Sequence, residues 1–462
     1  MSADEAKVRE AVALGVRELA DWAADVTQND IPPPILGRAA RVLADDMAAI
    51  VGARDEPEVA RFHERTLARA ALPEATVFRG GTRRCDRIGA AVANAVAADW
   101  LELDEGYRPT PCHGGLYVLP ALMAEAEAID LPFGEMLRAL VLGYEMVTRI
   151  ARTWTPQAMT MQSHGRYAAV GAAAGVALAR GKTGAEIAAA IGAAATLIGP
   201  SPRNHLAAGI LVRNVWPAAG AWSGMMAVDW AECGIVGVPG AFHDVYGTVL
   251  GGRAHPERLT AGLGQSWALQ DGYTKIYACC QHLHSAVEAA IGLRDQVLAH
   301  GTLDNIASIA VETHALALPL INPAPHTTLA AKFSMSHAMA AVLVTGSGGA
   351  EAFAATTLAL PAIASLRPLV SLTPWAPELP PPNDRPARVT VALRDGRTLA
   401  AECLSAQGGP DRPLPPETAL LKLAALAGPA YPRMPQVFGE LTALGSPRMA
   451  QGWKQIVAEM TQ

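Results

Sequence analysis

At 462 residues, 51% of them hydrophobic and only 17% charged, the chain has material for two domains and a large core. Its formal net charge of -6 and the lack of any long basic run exclude a general nucleic-acid binder. The acidic opening Met1-Ser-Ala-Asp-Glu lacks the basic-then-apolar layout of a signal peptide. The longest apolar run, residues 167–179, falls short of the ~18 residues that suggest a membrane span. Six cysteines (Cys85, Cys112, Cys233, Cys279, Cys280 and Cys403) have no metal-type spacing and read as reduced thiols. The expectation is a soluble, cytoplasmic protein with neither membrane nor nucleic-acid partners.

In chain order, the first 265 residues or so read as helix almost throughout. Abundant alanine and few aromatics (5%) favour closely packed helices. An amphipathic opener over 6–27 is broken by Pro32-Pro33-Pro34, and 35–52 continues as helix. Further helices are predicted over 85–103, 115–129, 133–153 and 166–178. Thr183-Gly-Ala-Glu186 has capping-box spacing and opens a helix to 198. Another runs over 218–233. After Gly264 the texture changes. Strands are predicted over 275–279 and 306–318, and helices over 285–300 and 329–344. A Pro-rich stretch precedes two alternating runs around Asp395-Gly396, a hairpin signal. This β-α-β-α-(α)-β-β order suggests a small α+β domain of ferredoxin-like type. The predicted fold class is therefore mainly α: a large all-helical domain over 1–266 and 410–462, and a smaller α+β (ferredoxin-like) lid domain over 267–409.

Chemistry-bearing residues concentrate in four places. The stretch Tyr273-Thr-Lys275-Ile-Tyr-Ala-Cys-Cys280-Gln-His-Leu-His284 runs into a helix start. Helix N-termini attract anions, so a cation and imidazoles there suit a small carboxylate substrate. Adjacent cysteines chelate a tetrahedral ion poorly, so no metal is expected. A second cluster runs from Glu102 through Asp104 and Glu105 to His113-Gly-Gly115. Acids at a helix C-terminus oppose its dipole, a rule-breaking common at functional sites. The bland alternative is a solvated acidic helix end. The third place is Ser163-His164-Gly-Arg-Tyr, at the mouth of an Ala-rich helix, where the histidine either meets a bound carboxylate or caps the helix. The fourth holds Arg203 and Arg213, which either clamp carboxylates or form structural ion pairs. Tyr144 stands on the 133–153 helix. Phosphate-binding loops are missing.

Seven stretches in order make the chain resemble the 2-methylcitrate dehydratase (MmgE/PrpD) family, which also includes cis-aconitate decarboxylase and iminodisuccinate epimerase. They are Ala44-Asp-Asp-Met-Ala-Ala-Ile-Val-Gly52; the acidic run through His113-Gly-Gly; Gly143-Tyr-Glu with Arg149; and Ser163-His164. Next come Ala218-Ala-Gly-Ala-Trp-Ser-Gly; Lys275-Ile-Tyr-Ala-Cys-Cys with His284; and Ala331-Lys-Phe-Ser-Met-Ser-His337. The resemblance implies a helical domain closed by an α+β lid, a homodimer and no obligatory cofactor. It places His113, His164 and Lys275 along the pocket as catalytic residues. It puts Asp104 in the acidic segment beside them and His284 on the histidine after the cysteine pair; Tyr144, Arg203, Arg213 and Cys280 are expected with them as substrate-binding residues. The chain also departs from the family pattern. The usual Asp-Phe-Asp-Asp-Thr run stands here as Glu102-Leu-Asp104-Glu105-Gly106, a pocket lysine as Arg213, and a His-Pro as His113-Gly.

The activity implied is a lyase, dehydratase- or decarboxylase-like, on a small di- or tricarboxylate. Lys275, with a pKa lowered by burial and nearby cations, or one of the two histidines would remove a proton next to a carboxylate. The other histidine would protonate the leaving hydroxyl, and Arg203 and Arg213 would neutralise carboxylates. An isomerase or epimerase of an amino- or imino-dicarboxylate is the first alternative, and a catalytically silent metabolite-binding dimer the second.

Overall fold

The computed structural model describes residues 2–443 and 445–462. Its N-terminal two-thirds is helical, and the centre is α6 (Ser163–Ala179). Around α6 pack α4 (Gly114–Ile129), α5 (Phe133–Arg152), α7 (Gly184–Thr196) and α8 (Trp216–Glu232). Small residues permit this crowding. A Cβ on Gly220 of α8 would stand 2.3 Å from the Ala168 side chain, and one on Gly224 2.5 Å from the Ala169 carbonyl oxygen. Outside this group lie α1 (Ala3–Asp25), α2 (Pro33–Gly52) and α3 (Arg87–Ala98). The capping box before α7 forms as its spacing predicts, with Thr183 and Glu186 satisfying each other's backbone N–H.

The later part is α+β. A four-stranded sheet runs in the order β4 (Thr398–Cys403), β3 (Ala387–Leu393), β1 (Ile306–Thr313), β2 (Val370–Pro374). Only β1 and β2 are parallel; helices including α10 (Met335–Thr345) make their crossover. The hairpin of β3 and β4 turns at Asp395-Gly396, where Gly396 has φ +90°. α9 (His284–Ala299) packs on β3, β4 and α10. The architecture is mainly α with a small α+β part, as the sequence predicts.

Two expectations differ. Residues 275–279 form no strand; the only strand there is Gly272–Tyr273, paired with Gly106–Tyr107. The backbone beyond it bonds three separate segments: Thr274 N to Gly408 O at 2.9 Å, Ala278 N to Gly348 O at 2.8 Å and Cys280 N to Lys332 O at 2.9 Å. No single neighbour offers a ladder. The helix predicted over 329–344 is broken into Thr328–Lys332 and α10, because Ser334 leaves helical geometry and caps His337 N. The chain then returns to the helical part. α11 (Thr418–Ala427) packs on α2, and α12 (Trp453–Met460) on α4. Among the described residues no helix is long and apolar enough to cross a membrane.

Candidate active site

The segment after α3 sets the site. Asp99, Glu102, Asp104 and Glu105 are all buried there. Glu102 takes φ +54°, a left-handed conformation uncommon outside glycine. Four carboxylates in so small a volume demand cations, and three long-range elements supply them. Arg213, from the turn before α8, puts Nη1 2.6 Å from Asp99 Oδ2 and also meets Glu102. Lys275 Nζ lies 3.2 Å from Asp104 Oδ1 and 3.4 Å from Glu102 Oε2. His113, the N-cap residue of α4, brings Nδ1 to 2.6 Å from Asp104 Oδ2 and 2.8 Å from the Glu105 carbonyl oxygen. With Nδ1–H so engaged, Nε2 is the ring nitrogen left to meet a ligand.

His164 sits in the first turn of α6. Its Nδ1 is 2.9 Å from Tyr117 Oη, and its Nε2 3.4 Å from Asp99 Oδ2. The rings of His113 and His164 are 4.9 Å apart between centroids. Two helix N-termini thus deliver two imidazoles to one place, where their dipoles favour negative charge.

The electrostatics separate these groups. Burial pushes Asp104 upward, but Lys275 and His113 outweigh it and hold the carboxyl far below its usual range. Burial and the nearby Asp104 raise Asp99 to about 6, against the pull of Arg213. Burial opposes the charge on Lys275, yet Asp104 and Glu102 prevail and keep it well above an ordinary lysine. This corrects the expectation of a lowered lysine: its own carboxylates lock it as ammonium. The histidines diverge. Burial disfavours the His113 cation, but Asp104 more than compensates and raises it. Burial, Arg213 and His113 together drive His164 well below 6.5, so it is neutral.

A second layer holds the first. Glu105 accepts from Gly115 N at 2.5 Å and from the Tyr144 hydroxyl at 3.0 Å, and its own N–H donates to Asp46 Oδ1 at 3.1 Å. Burial raises Glu105 to about 7 and, with Glu105 beside it, raises Asp46 as well. Lys422 of α11 donates to Asp45 Oδ1 at 2.8 Å, to the Lys275 carbonyl at 3.1 Å and to the Leu103 carbonyl. Lys332 donates to the Trp100 carbonyl at 2.8 Å. Phe333 covers the Arg213 guanidinium, 5.3 Å from ring centroid to Cζ.

His113, His164, Lys275, Asp104 and Arg213 therefore meet in one cluster. Cys280 lies beside it, its thiol raised to about 11 by burial and then by Glu102. Tyr144 stands one shell back, on Glu105. His284 is held by the backbone: its Nε2 is 3.1 Å from the Cys279 carbonyl oxygen, and burial lowers it to about 3. Among the described residues no hydrogen bond or ion pair joins the Arg203 guanidinium to this cluster; its charge acts on His282 instead. Asp99, Tyr117, Lys332 and Lys422 escaped the sequence reading. For Asp99 a signal existed: Asp99-x-x-Glu102-x-Asp104-Glu105 packs four acids into seven residues of a lightly charged chain.

Comparison with known proteins identifies the family. Residues 17–251 match the MmgE/PrpD N-terminal domain, and residues 277–440 the MmgE/PrpD C-terminal domain. Cis-aconitate decarboxylase of Aspergillus terreus is 28% identical over 356 residues, covering 71% of this chain and 71% of its own length. Cis-aconitate decarboxylase-like protein oryM of Aspergillus oryzae is 25% identical over 413 residues, covering 83% of this chain and 84% of its own length. The chain belongs to the MmgE/PrpD family.

Proposed function

We propose that the chain is a lyase that forms a carbanion next to a carboxylate of a small di- or tricarboxylate. The observation that carries this reading is the opposed pair of histidines around Asp104 and Lys275. One imidazole is raised and the other lowered, the separation expected of an acid and a base. The activity named for the relatives supports it.

His113 is the acid, held by Asp104. His164, neutral and oriented by Tyr117, is the base. Lys275 is a fixed cation that stabilises the charge developing on the substrate carboxylate. In decarboxylation the carbon–CO2 bond breaks, CO2 leaves, and the electron pair spreads into the neighbouring carboxylate. His113 then protonates the carbon. In dehydration His164 takes the proton beside the carboxylate, and the hydroxyl departs as water with the proton of His113. Arg213 anchors Asp99 and Glu102 rather than substrate. In the same reading residues 267–409 close over the helical part, and two copies of the chain associate, which light scattering tests.

Proton NMR in heavy water on a series of C4 to C7 di- and tricarboxylates, beginning with cis-aconitate, tests the activity. Loss of CO2 or water is expected, with deuterium appearing at carbon after decarboxylation. Label gained without net loss would mean an epimerase, and no change in any compound would leave only binding. Lys275→Ala and His113→Ala should each reduce turnover by about a hundredfold or more with circular dichroism unchanged. Full activity in both would overturn the site.

A further inference from the structure

A second group of cations borders the Asp104 cluster and is less well partnered. Arg385 precedes β3, at the end of the Pro-rich segment. Its carbonyl accepts from Ser285 Oγ at 2.7 Å, which pins its backbone to the start of α9. Its guanidinium makes no hydrogen bond to any described residue, and its one carboxylate neighbour, Asp384, is 4.0 Å away. Asp384 is already taken by Arg108, whose Nη1 lies 3.2 Å from Oδ2 and whose Nη2 meets Oδ1. His282 and His314 face each other across the same place, Nδ1 to Nε2 at 3.1 Å.

The charges here do not cancel. Burial pushes His282 well below its usual value, and Arg385, His314, Arg203 and Arg108 push it further. Burial likewise lowers His314, to about 4. Both imidazoles are therefore neutral. Two guanidiniums share the one carboxylate of Asp384, and burial followed by Arg108 brings even Arg385 down to about 10. A planar, weakly hydrated fork with its donors uncommitted is suited to a bidentate carboxylate. The position relative to the first cluster follows from shared neighbours. Tyr273, His284 and Cys280 each interact electrostatically with both Lys275 and Arg385.

We propose that Arg385, with His282 beside it, receives the distal carboxylate of the substrate whose reacting end lies against Lys275 and His113. This group then selects polycarboxylates over monocarboxylates. The assignment rests on the lyase reading only for which end of the substrate reacts.

The test is calorimetric binding of propane-1,2,3-tricarboxylate, which has no double bond or hydroxyl, together with steady-state kinetics on any turned-over substrate. R385Q should weaken binding and raise KM by about tenfold or more, the effect of losing a charge-assisted pair. Its kcat and thermal melt should stay near wild type, and R385K should recover most of the affinity. Crotonate, a monocarboxylate, should bind R385Q and wild type alike. If R385Q fails to fold, H282Q carries the same measurement with a smaller expected loss. Wild-type affinity in R385Q, or no binding of the tricarboxylate by wild type, overturns the proposal. Arg385-dependent binding in a protein that turns over no polycarboxylate would instead sink the lyase reading and leave this subsite standing.

Discussion

An aspartate that holds an ammonium on one oxygen and an imidazole on the other controls the protonation of both. Asp104→Asn keeps the shape and removes the charge. Lys275 would retain only Glu102, and His113 would lose the partner that raises it. A fall in kcat/KM of about a hundredfold is expected, along with a shift of the His113 limb of the pH–rate profile to lower pH. An unshifted limb would show that His113 does not set it. Glu105 gives a second, thermodynamic prediction. Its folded pKa lies near 7 against an ordinary 4.5. Between those values the native state keeps a proton that the unfolded chain has lost. Stability from this group therefore falls as pH rises through that window, by about 1.4 kcal/mol per unit. Glu105→Gln should flatten that loss and melt higher than wild type at pH 8, with little difference at pH 5. An equal change at both pH values would contradict the assignment.

Among the elements, the two-residue pairing of Gly106–Tyr107 with Gly272–Tyr273 joins the acidic segment to the Lys275 segment. It works because Gly106 has no side chain: a Cβ there would lie 2.2 Å from the Tyr273 ring. Gly106→Ala should cost about 1–3 kcal/mol in denaturant melts. Adding Tyr273→Ala should restore part of the stability lost to the clash. The helices were legible in the sequence because apolar periodicity and caps are local, as at Thr183 and Glu186. The segment 275–279 was not. Its alternation resembled a strand, but every side chain from Tyr277 to Cys279 is buried, and its backbone partners lie far off in sequence. The meeting of His113, His164, Lys275 and Asp104 was readable from motif and resemblance. The pairing of Asp99 with Arg213 was not, since 114 residues separate them and the acidic pattern around Asp99 does not say which distant cation meets it.

At the scale of the whole molecule, α11 reaches back from the C-terminal region to fasten distant parts together. Lys422 touches Asp45 of α2, the acidic segment and the Lys275 carbonyl at once. Lys422→Met would leave Asp45 buried without its cation, at a cost of about 3–5 kcal/mol in chemical denaturation. Pairing it with Asp45→Asn should recover much of that stability, while turnover stays reduced because the Lys275 backbone is still released. Equal stability of the single and double variants would mean that the Lys422–Asp45 contact is incidental. The guanidinium of Arg213 has a different consequence. An arginine keeps its charge at any alkalinity a folded protein survives, and neighbouring acids raise this one further. Its anchorage of Asp99 and Glu102 therefore cannot be undone by hydroxide. Reagents that acylate amines would likewise leave it intact. A decline of catalysis in basic solution would then report the imidazolium or the substrate, with the framework beneath them unchanged.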